Sequence, residues 1–233
     1  MKRITIEAPN LDYSSSEAYK ALRTNLKFSG ADKTVIGITS CFEDEGKSTV
    51  AMNLAISLAE DGYKTILIDA DLRKSVMLNR TKARGEVQGL THFLSKQAVL
   101  NDVVCITNIQ NFHIMYSGPV VSNPAELLGD DRFSSMIEVL RESYDYIIVD
   151  TAPLGVVVDC AVIAPSCDGM MLVVESGKDS YKVVRQVVSQ IEKAQCTFLG
   201  VVLNKVDMSK GGYYGGYYGR RYEAYYGKDT ETK

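Results

Sequence analysis

The stretch from Thr34 to Thr49, TVIGITSCFEDEGKST, constrains this chain more than any other. Val35, Ile36 and Ile38 form a short apolar run suited to a buried strand. A polar turn follows, and Gly46-Lys47-Ser48-Thr49 opens a segment with helical periodicity. Strand, loop, Gly-Lys-Ser and helix in that order is the context in which a phosphate-binding loop works. Backbone N–H groups of the loop and first helical turn converge on one spot, and the helix dipole adds partial positive charge there. Lys47 brings a mobile cation for the β- and γ-phosphates, the Ser48 hydroxyl suits Mg²⁺, and Gly46 lets the backbone approach an anion. Cys41, Phe42, Glu43, Asp44, Glu45, Gly46, Lys47, Ser48 and Thr49 are therefore the candidate nucleotide cradle. The common pattern carries glycine where Cys41 stands, and a small residue where Asp44 stands, although Asp tolerates left-handed backbone. The bland alternative is an ordinary strand–loop–helix with a chance Gly-Lys-Ser.

Two further strand ends carry carboxylates. Thr65 to Ile68 reads as a strand running into Asp69-Ala70-Asp71-Leu72-Arg73. Alternation points Asp69 and Asp71 the same way. Two carboxylates beside a triphosphate site repel each other and the phosphates, which makes sense if a divalent cation sits between them. Tyr146-Ile147-Ile148-Val149 is an apolar strand stopping at Asp150, the second sign of such a site, whose carboxylate holds Mg²⁺ through water. A third strand, Phe198–Leu203, ends in Asn204-Lys205-Val206-Asp207, an NKxD match; Asn204 is expected near the base without guanine selectivity.

At 233 residues the chain fits one three-layer core. A net charge of −3 argues against nucleic-acid binding, which needs a basic surface. The five cysteines are scattered without CxxC spacing, which suits a reducing cytoplasm better than disulfides or zinc. His92 and His113 are isolated from metal-spaced partners. No apolar signal region opens the chain, and no window reaches the roughly 18–20 apolar residues of a membrane span, so membrane association is expected only through a partner.

Residues 1–30 read as an extended leader and a helix, 31–208 as the catalytic domain, and 209–233 as a tail. Ser14, Ser15 or Ser16 is expected to cap the first helix, with Ala18, Leu22 and Leu26 as its apolar stripe. Glu17, Lys20 and Arg23 share the other face, as solvated ion pairs or as a subunit contact. A second helix, Lys47 to Asp61, ends at Gly62 in the left-handed position. Phe112–Tyr116 reads as a strand. A helix from Asp131 faces the core with Phe133, Met136, Ile137 and Leu140. Gly169–Val174 and Phe198–Leu203 read as buried strands around a helix capped near Ser180. The tail differs in kind: GGYYGGYYGRRYEAYYG holds Tyr213, Tyr214, Tyr217, Tyr218, Tyr222, Tyr225 and Tyr226, half of the 14 tyrosines. Gly–Tyr alternation without aliphatics builds no core, so the tail is expected to be a tether whose phenols serve as phosphoryl acceptors.

Together these motifs resemble the bacterial protein-tyrosine kinases in their soluble CpsD-like form, encoded with capsular or exopolysaccharide machinery. GKST at 46–49 resembles the Walker A box, ILIDADLR at 66–73 the Walker A′, YIIVDTAP at 146–153 the Walker B, and the tail the tyrosine cluster. Glu17–Lys20–Arg23 resembles an ExxRxxR subunit contact with Lys20 in place of one Arg, which loses bidentate geometry. The resemblance implies an α/β, three-layer P-loop NTPase fold of the MinD/ParA kind with a mostly parallel sheet. It implies ATP and Mg²⁺, with Lys47 on the phosphates and Ser48, Asp69 and Asp150 around the metal. Asp71 would be the base for the tyrosine hydroxyl, and Arg73 would steady carboxylates or phosphates. It further implies a homo-oligomeric ring phosphorylating tails in trans, a transmembrane activator of the polysaccharide co-polymerase type, and a cognate protein-tyrosine phosphatase. Three rivals remain. A MinD/ParA regulatory ATPase would want a lysine near Phe42, a small GTPase would explain NKVD, and a scaffold would use the tail as an adhesive.

Overall fold

The computed structural model describes residues 1–83 and 87–207, so the tail and its seven tyrosines lie outside the described residues. In chain order the elements are β1 (Lys2–Arg3), α1 (Tyr13–Phe28), β2 (Val35–Ser40), α2 (Lys47–Glu60), β3 (Thr65–Asp69), α3 (Met77–Thr81), α4 (Leu90–Leu94), α5 (Leu100–Val103) and β4 (Val104–Ile106). There follow β5 (Phe112–Met115), α6 (Pro124–Leu128), α7 (Asp131–Arg141), β6 (Tyr146–Asp150), α8 (Asp159–Ile163), a 3₁₀ turn (Ala164–Ser166), β7 (Gly169–Glu175), α9 (Tyr181–Lys193) and β8 (Phe198–Asn204).

The strands form one sheet in the order β1-β4-β5-β3-β6-β2-β7-β8. β5, β3, β6, β2, β7 and β8 are mutually parallel; β4 runs antiparallel to β5, and β1 is parallel to β4. A parallel sheet needs helices on both faces, and its central strands are apolar throughout. Every residue of β2 is accordingly buried. One core lies under α2 with Leu26 of α1, while the other joins Phe133, Met136, Ile137 and Leu140 of α7 to Val187 and Ile191 of α9. Ala51, Ala55 and Ala59 keep α2 slim enough to lie close to the sheet, and Gly62 follows its cap at φ +94°.

Three expectations need correction. The cap of α1 is Asp12, whose carboxylate accepts from Ser15 N at 2.7 Å. An Asp in extended conformation caps as well as Ser does, so the helix starts earlier and the serines fall inside its first turn. Its apolar stripe runs through Tyr19, Leu22 and Leu26 while Ala18 is exposed, because the larger side chains gain more from burial. β8 is not a buried strand: Val201 and Leu203 are 49% and 40% exposed. Among the described residues it pairs only with β7, and an edge strand lacks the cover that a central one receives. The leader is extended as expected, but Ile4 and Ile6 are buried and Ile4 N donates to Ile106 O at 2.9 Å.

This strand order places the carboxyl ends of β3, β6 and β2 side by side. Asp69 is the register partner of Asp150, and Asp150 of Ile38, three residues before the phosphate loop opens at Cys41. In an open α/β sheet, ligands bind at that end of the strands.

Candidate active site

The loop between β2 and α2 is shaped by its own side chains. Glu45 is fully buried, and its Oε2 accepts from Cys41 N at 2.7 Å and Phe42 N at 3.0 Å. Asp44 takes φ +62° and Gly46 φ +94°, so the left-handed tolerance of Asp is used. Asn204 Nδ2 donates to Glu45 O at 2.8 Å, and Lys205 Nζ to Asp44 O at 2.6 Å. The Asn and Lys of the NKVD match therefore brace the loop. A Cβ on Gly46 would stand 2.1 Å from Asn204 Nδ2, in backbone that side chains rarely adopt. Gly46→Ala is thus expected to weaken ATP binding by at least about tenfold, roughly 1.4 kcal/mol, in an equilibrium titration on the folded protein.

Beside the loop opens a cleft with Glu43, Asp44, Gly46, Lys47, Ser48, Asp71 and Arg73 among its walls. Lys47 Nζ lies 2.9 Å from Asp71 Oδ2, 3.2 Å from Ser48 Oγ and 3.6 Å from Asp150 Oδ1. The other Asp71 oxygen accepts from Lys74 N at 3.0 Å and Arg73 N at 3.3 Å. Asp69 Oδ2 accepts from Ser75 Oγ. Asp69 Oδ1 and Asp150 Oδ1 are buried without a hydrogen-bond partner among the described residues.

This cluster carries more negative charge than one ammonium neutralises. Burial, then Asp150, pushes the Asp69 carboxyl up to about 7; burial likewise raises Asp150 against the pull of Lys47. Burial works against the Lys47 ammonium too, but Asp150, Asp71 and Asp69 outweigh it and hold its pKa above the ordinary value. Two buried carboxylate oxygens without a hydrogen-bond partner, on adjacent strand ends near a serine hydroxyl, make a hard oxygen donor set. Ser48, Asp69 and Asp150 therefore fit Mg²⁺.

The AAA domain family matches residues 34–204. Tyrosine-protein kinase CpsD of Streptococcus agalactiae is 46% identical over 205 residues, covering 87% of this chain and 90% of that protein. The chain belongs to the CpsD family of bacterial tyrosine-protein kinases. The VpsO kinase domain superposes with a TM-score of 0.78 at 34% identity, covering 83% of this chain and 95% of that one. MinD of Pyrococcus horikoshii, complexed with Mg-ADP, gives 0.66 at 25% identity over 76% and 72%. The fold is thus the P-loop NTPase fold of the MinD kind, and the enzyme is a tyrosine kinase that uses a nucleotide.

In this CpsD-family kinase the structure brings together Lys47, Ser48, Asp69, Asp71 and Asp150. Cys41, Phe42 and Glu45 are absent from the cleft walls: Cys41 and Glu45 are buried, and the Phe42 ring is exposed. Arg73 lines the cleft, but its guanidinium is held bidentately by Asp159 at 2.7 and 2.8 Å. Asp159, buried at the start of α8, is a positioning residue that no spacing in the sequence singled out. Arg80 was also missed; it lines the cleft and donates to Thr49 Oγ1 at 2.6 Å. Arg23 is tied to its own subunit, donating to Ser57 O at 2.6 Å and lying 3.3 Å from Asp61, while Lys20 pairs with Glu17 at 2.6 Å. Among the described residues no helix is long and apolar enough to cross a membrane.

Proposed function

We propose that this kinase phosphorylates its own C-terminal cluster in trans and thereby regulates capsular or exopolysaccharide synthesis and export. The observation that carries the reading is the contact between Lys47 Nζ and Asp71 Oδ2, a cation resting on the proposed base beside a phosphate loop. With ATP bound, Lys47 and the loop amides meet the phosphates, and Asp71 is released to face the incoming phenol. The tyrosine oxygen forms a bond to the γ-phosphorus, the bond to the ADP oxygen breaks, and the phenolic proton passes to Asp71. Mg²⁺ held by Ser48, Asp69 and Asp150 supplies charge neutralisation for the phosphates. Phosphoryl transfer is mostly positioning and electrostatics, so one carboxylate on such a frame suffices. Arg73, held bidentately by Asp159, keeps a fixed position in the cleft wall.

The acceptors are Tyr213, Tyr214, Tyr217, Tyr218, Tyr222, Tyr225 and Tyr226, on a segment that starts just after Asn204 and Lys205, the residues bracing the loop. Neighbouring subunits assemble into a ring through Glu17, Lys20 and Arg23, with Arg23 presented from a fixed position on Ser57 and Asp61. A transmembrane activator of the co-polymerase type recruits the kinase to the membrane, and a protein-tyrosine phosphatase resets it; both follow from the family resemblance.

Mixing two chains tests the reading. A Lys47→Met chain with an intact tail is incubated with MgATP and an active chain whose seven tail tyrosines are Phe, and peptides are examined by mass spectrometry. Phosphotyrosine is expected on the Lys47→Met tail and is nearly lost from the Phe chain. Free phosphate without phosphotyrosine would favour the regulatory ATPase, and label confined to the active chain would refute transfer in trans.

A further inference from the structure

Outside the cleft, a second cluster lies against the same loop. Cys41 Sγ and one carboxylate oxygen each from Glu45 and Asp179 lie within 4.8 Å of one another. Cys41 and Glu45 are fully buried; Asp179 is half-buried, on the connection between β7 and α9. Glu45 Oε2 is spent on two loop amides, but Glu45 Oε1 and Asp179 Oδ2 have no hydrogen-bond partner among the described residues. The nearby ammonium groups of Lys178 and Lys205 each pair with Glu175 at 3.0 Å, and Lys178 acts on Glu45 and Asp179 only through space.

Two acceptor oxygens buried together need a positive partner between them. A shared proton would satisfy the oxygens and leave the thiol without a role. A divalent cation of borderline softness satisfies all three groups, because thiolate and carboxylate together suit zinc better than magnesium. We propose that Cys41, Glu45 and Asp179 form a structural site for a zinc-class divalent cation, separate from the magnesium position at Ser48, Asp69 and Asp150. Tetrahedral zinc places S and O donors about 3.3–3.8 Å apart, so the three groups need close up only slightly, and the partial exposure of Asp179 gives the ion its way in. The charge balance agrees with the geometry. Burial, then Glu45 and Asp179, pushes the Cys41 thiol up to about 12, and burial, then Asp179, pushes Glu45 up to about 7. Both shifts reflect burial first and the crowding of acidic groups second. A bound ion would pin the phosphate loop to the β7–α9 connection, and coupling of that kind is reciprocal with nucleotide affinity. The cysteine that interrupts the usual glycine pattern thereby gains a purpose. None of this depends on which hydroxyl is phosphorylated.

Cobalt(II) provides the test. The metal-free full chain, in excess Mg²⁺, is titrated with Co²⁺ while the thiolate-to-cobalt charge-transfer band is followed in the near ultraviolet. One equivalent is expected to saturate the band, and Zn²⁺ to bleach it. Cys41→Ser should lose the band, Asp179→Asn should need at least about tenfold more cobalt, and Asp150→Asn should retain it. Asp179→Asn is a half-buried change away from the core and keeps the test decisive if Cys41→Ser fails to fold. A chain with no band refutes the site and leaves the shared proton as the explanation. A band indifferent to Asp179→Asn, or persisting in Cys41→Ser, assigns the metal to other cysteines and refutes it equally.

Discussion

Replacing Asp71 by Asn is expected to lower tyrosine phosphorylation by about 10²–10⁴-fold, with ATP affinity unchanged within a few-fold. Asp71 is buried, and its oxygens are engaged by Lys47 Nζ on one side and by the Arg73 and Lys74 amides on the other. An amide is isosteric, and its oxygen can keep the contacts to the two backbone donors. What it cannot do is take the phenolic proton. Lys47 keeps Asp150 at 3.6 Å as a counter-charge, so the ammonium remains available to the phosphates. Single-turnover phosphotyrosine formation and an equilibrium nucleotide titration, run on the same preparation, separate the two quantities. Lys47→Met is the contrasting control and should lose both. Retained phosphorylation in a folded Asp71→Asn chain would mean that the proton leaves by another route.

How much of this was legible beforehand depends on sequence separation. The phosphate loop could be read because every contributing group lies within one strand–loop–helix unit. The core face of α7 could be read because Phe133, Met136, Ile137 and Leu140 follow a local period that one element's geometry enforces. Asp69 and Asp150 were recognisable as strand-end carboxylates, although only the strand order makes them register partners. The misses share a cause. The exposure of β8 depends on having one neighbour rather than two, which Phe198–Leu203 does not record. The grip of Asp159 on Arg73 joins positions 86 residues apart. The convergence of Cys41, Glu45 and Asp179 joins the loop after β2 to the connection after β7, five strands later in the chain. Composition at each of these places is ordinary; only the crossovers of a parallel sheet bring them together. The cap of α1 was missed for a smaller reason, since Asp and Ser are nearly equivalent there and the choice turns on where the extended leader ends.

The second large effect concerns Asp69→Asn, which is expected to stabilise the ligand-free kinase near pH 7.5 while abolishing its stabilisation by MgATP. In the folded chain the Asp69 carboxyl is pushed up to about 7, by burial first and Asp150 second. An unfolded Asp gives up its proton near 3.9. Between those values the native state binds more protons than the unfolded one, so the Asp69 contribution makes stability fall as pH rises from about 4 to about 7, then level off. The amide removes that penalty. Its oxygen still accepts from Ser75, and its N–H₂ can donate to Asp150 Oδ1 on the adjacent strand, which has no hydrogen-bond partner among the described residues. A gain on the order of 1–3 kcal/mol is expected, because relieving an uncompensated buried charge is worth that much or more. For a chain of this size each kcal/mol moves Tm by roughly 2–4 °C. The same change removes one of the oxygens suited to Mg²⁺, so the ligand-induced rise in Tm should shrink to near zero. Thermal unfolding at several pH values, with and without MgATP, gives four curves whose order is fixed in advance. Without ligand the variant lies above the wild type, by a margin that narrows toward pH 4; with MgATP the wild type recovers most or all of the difference. A ligand-free variant no more stable than wild type at pH 7.5 would show that the crowded carboxylates carry no cost. The converse result would identify the strain at the strand ends as what the cation relieves, and as a source of the site's affinity for it.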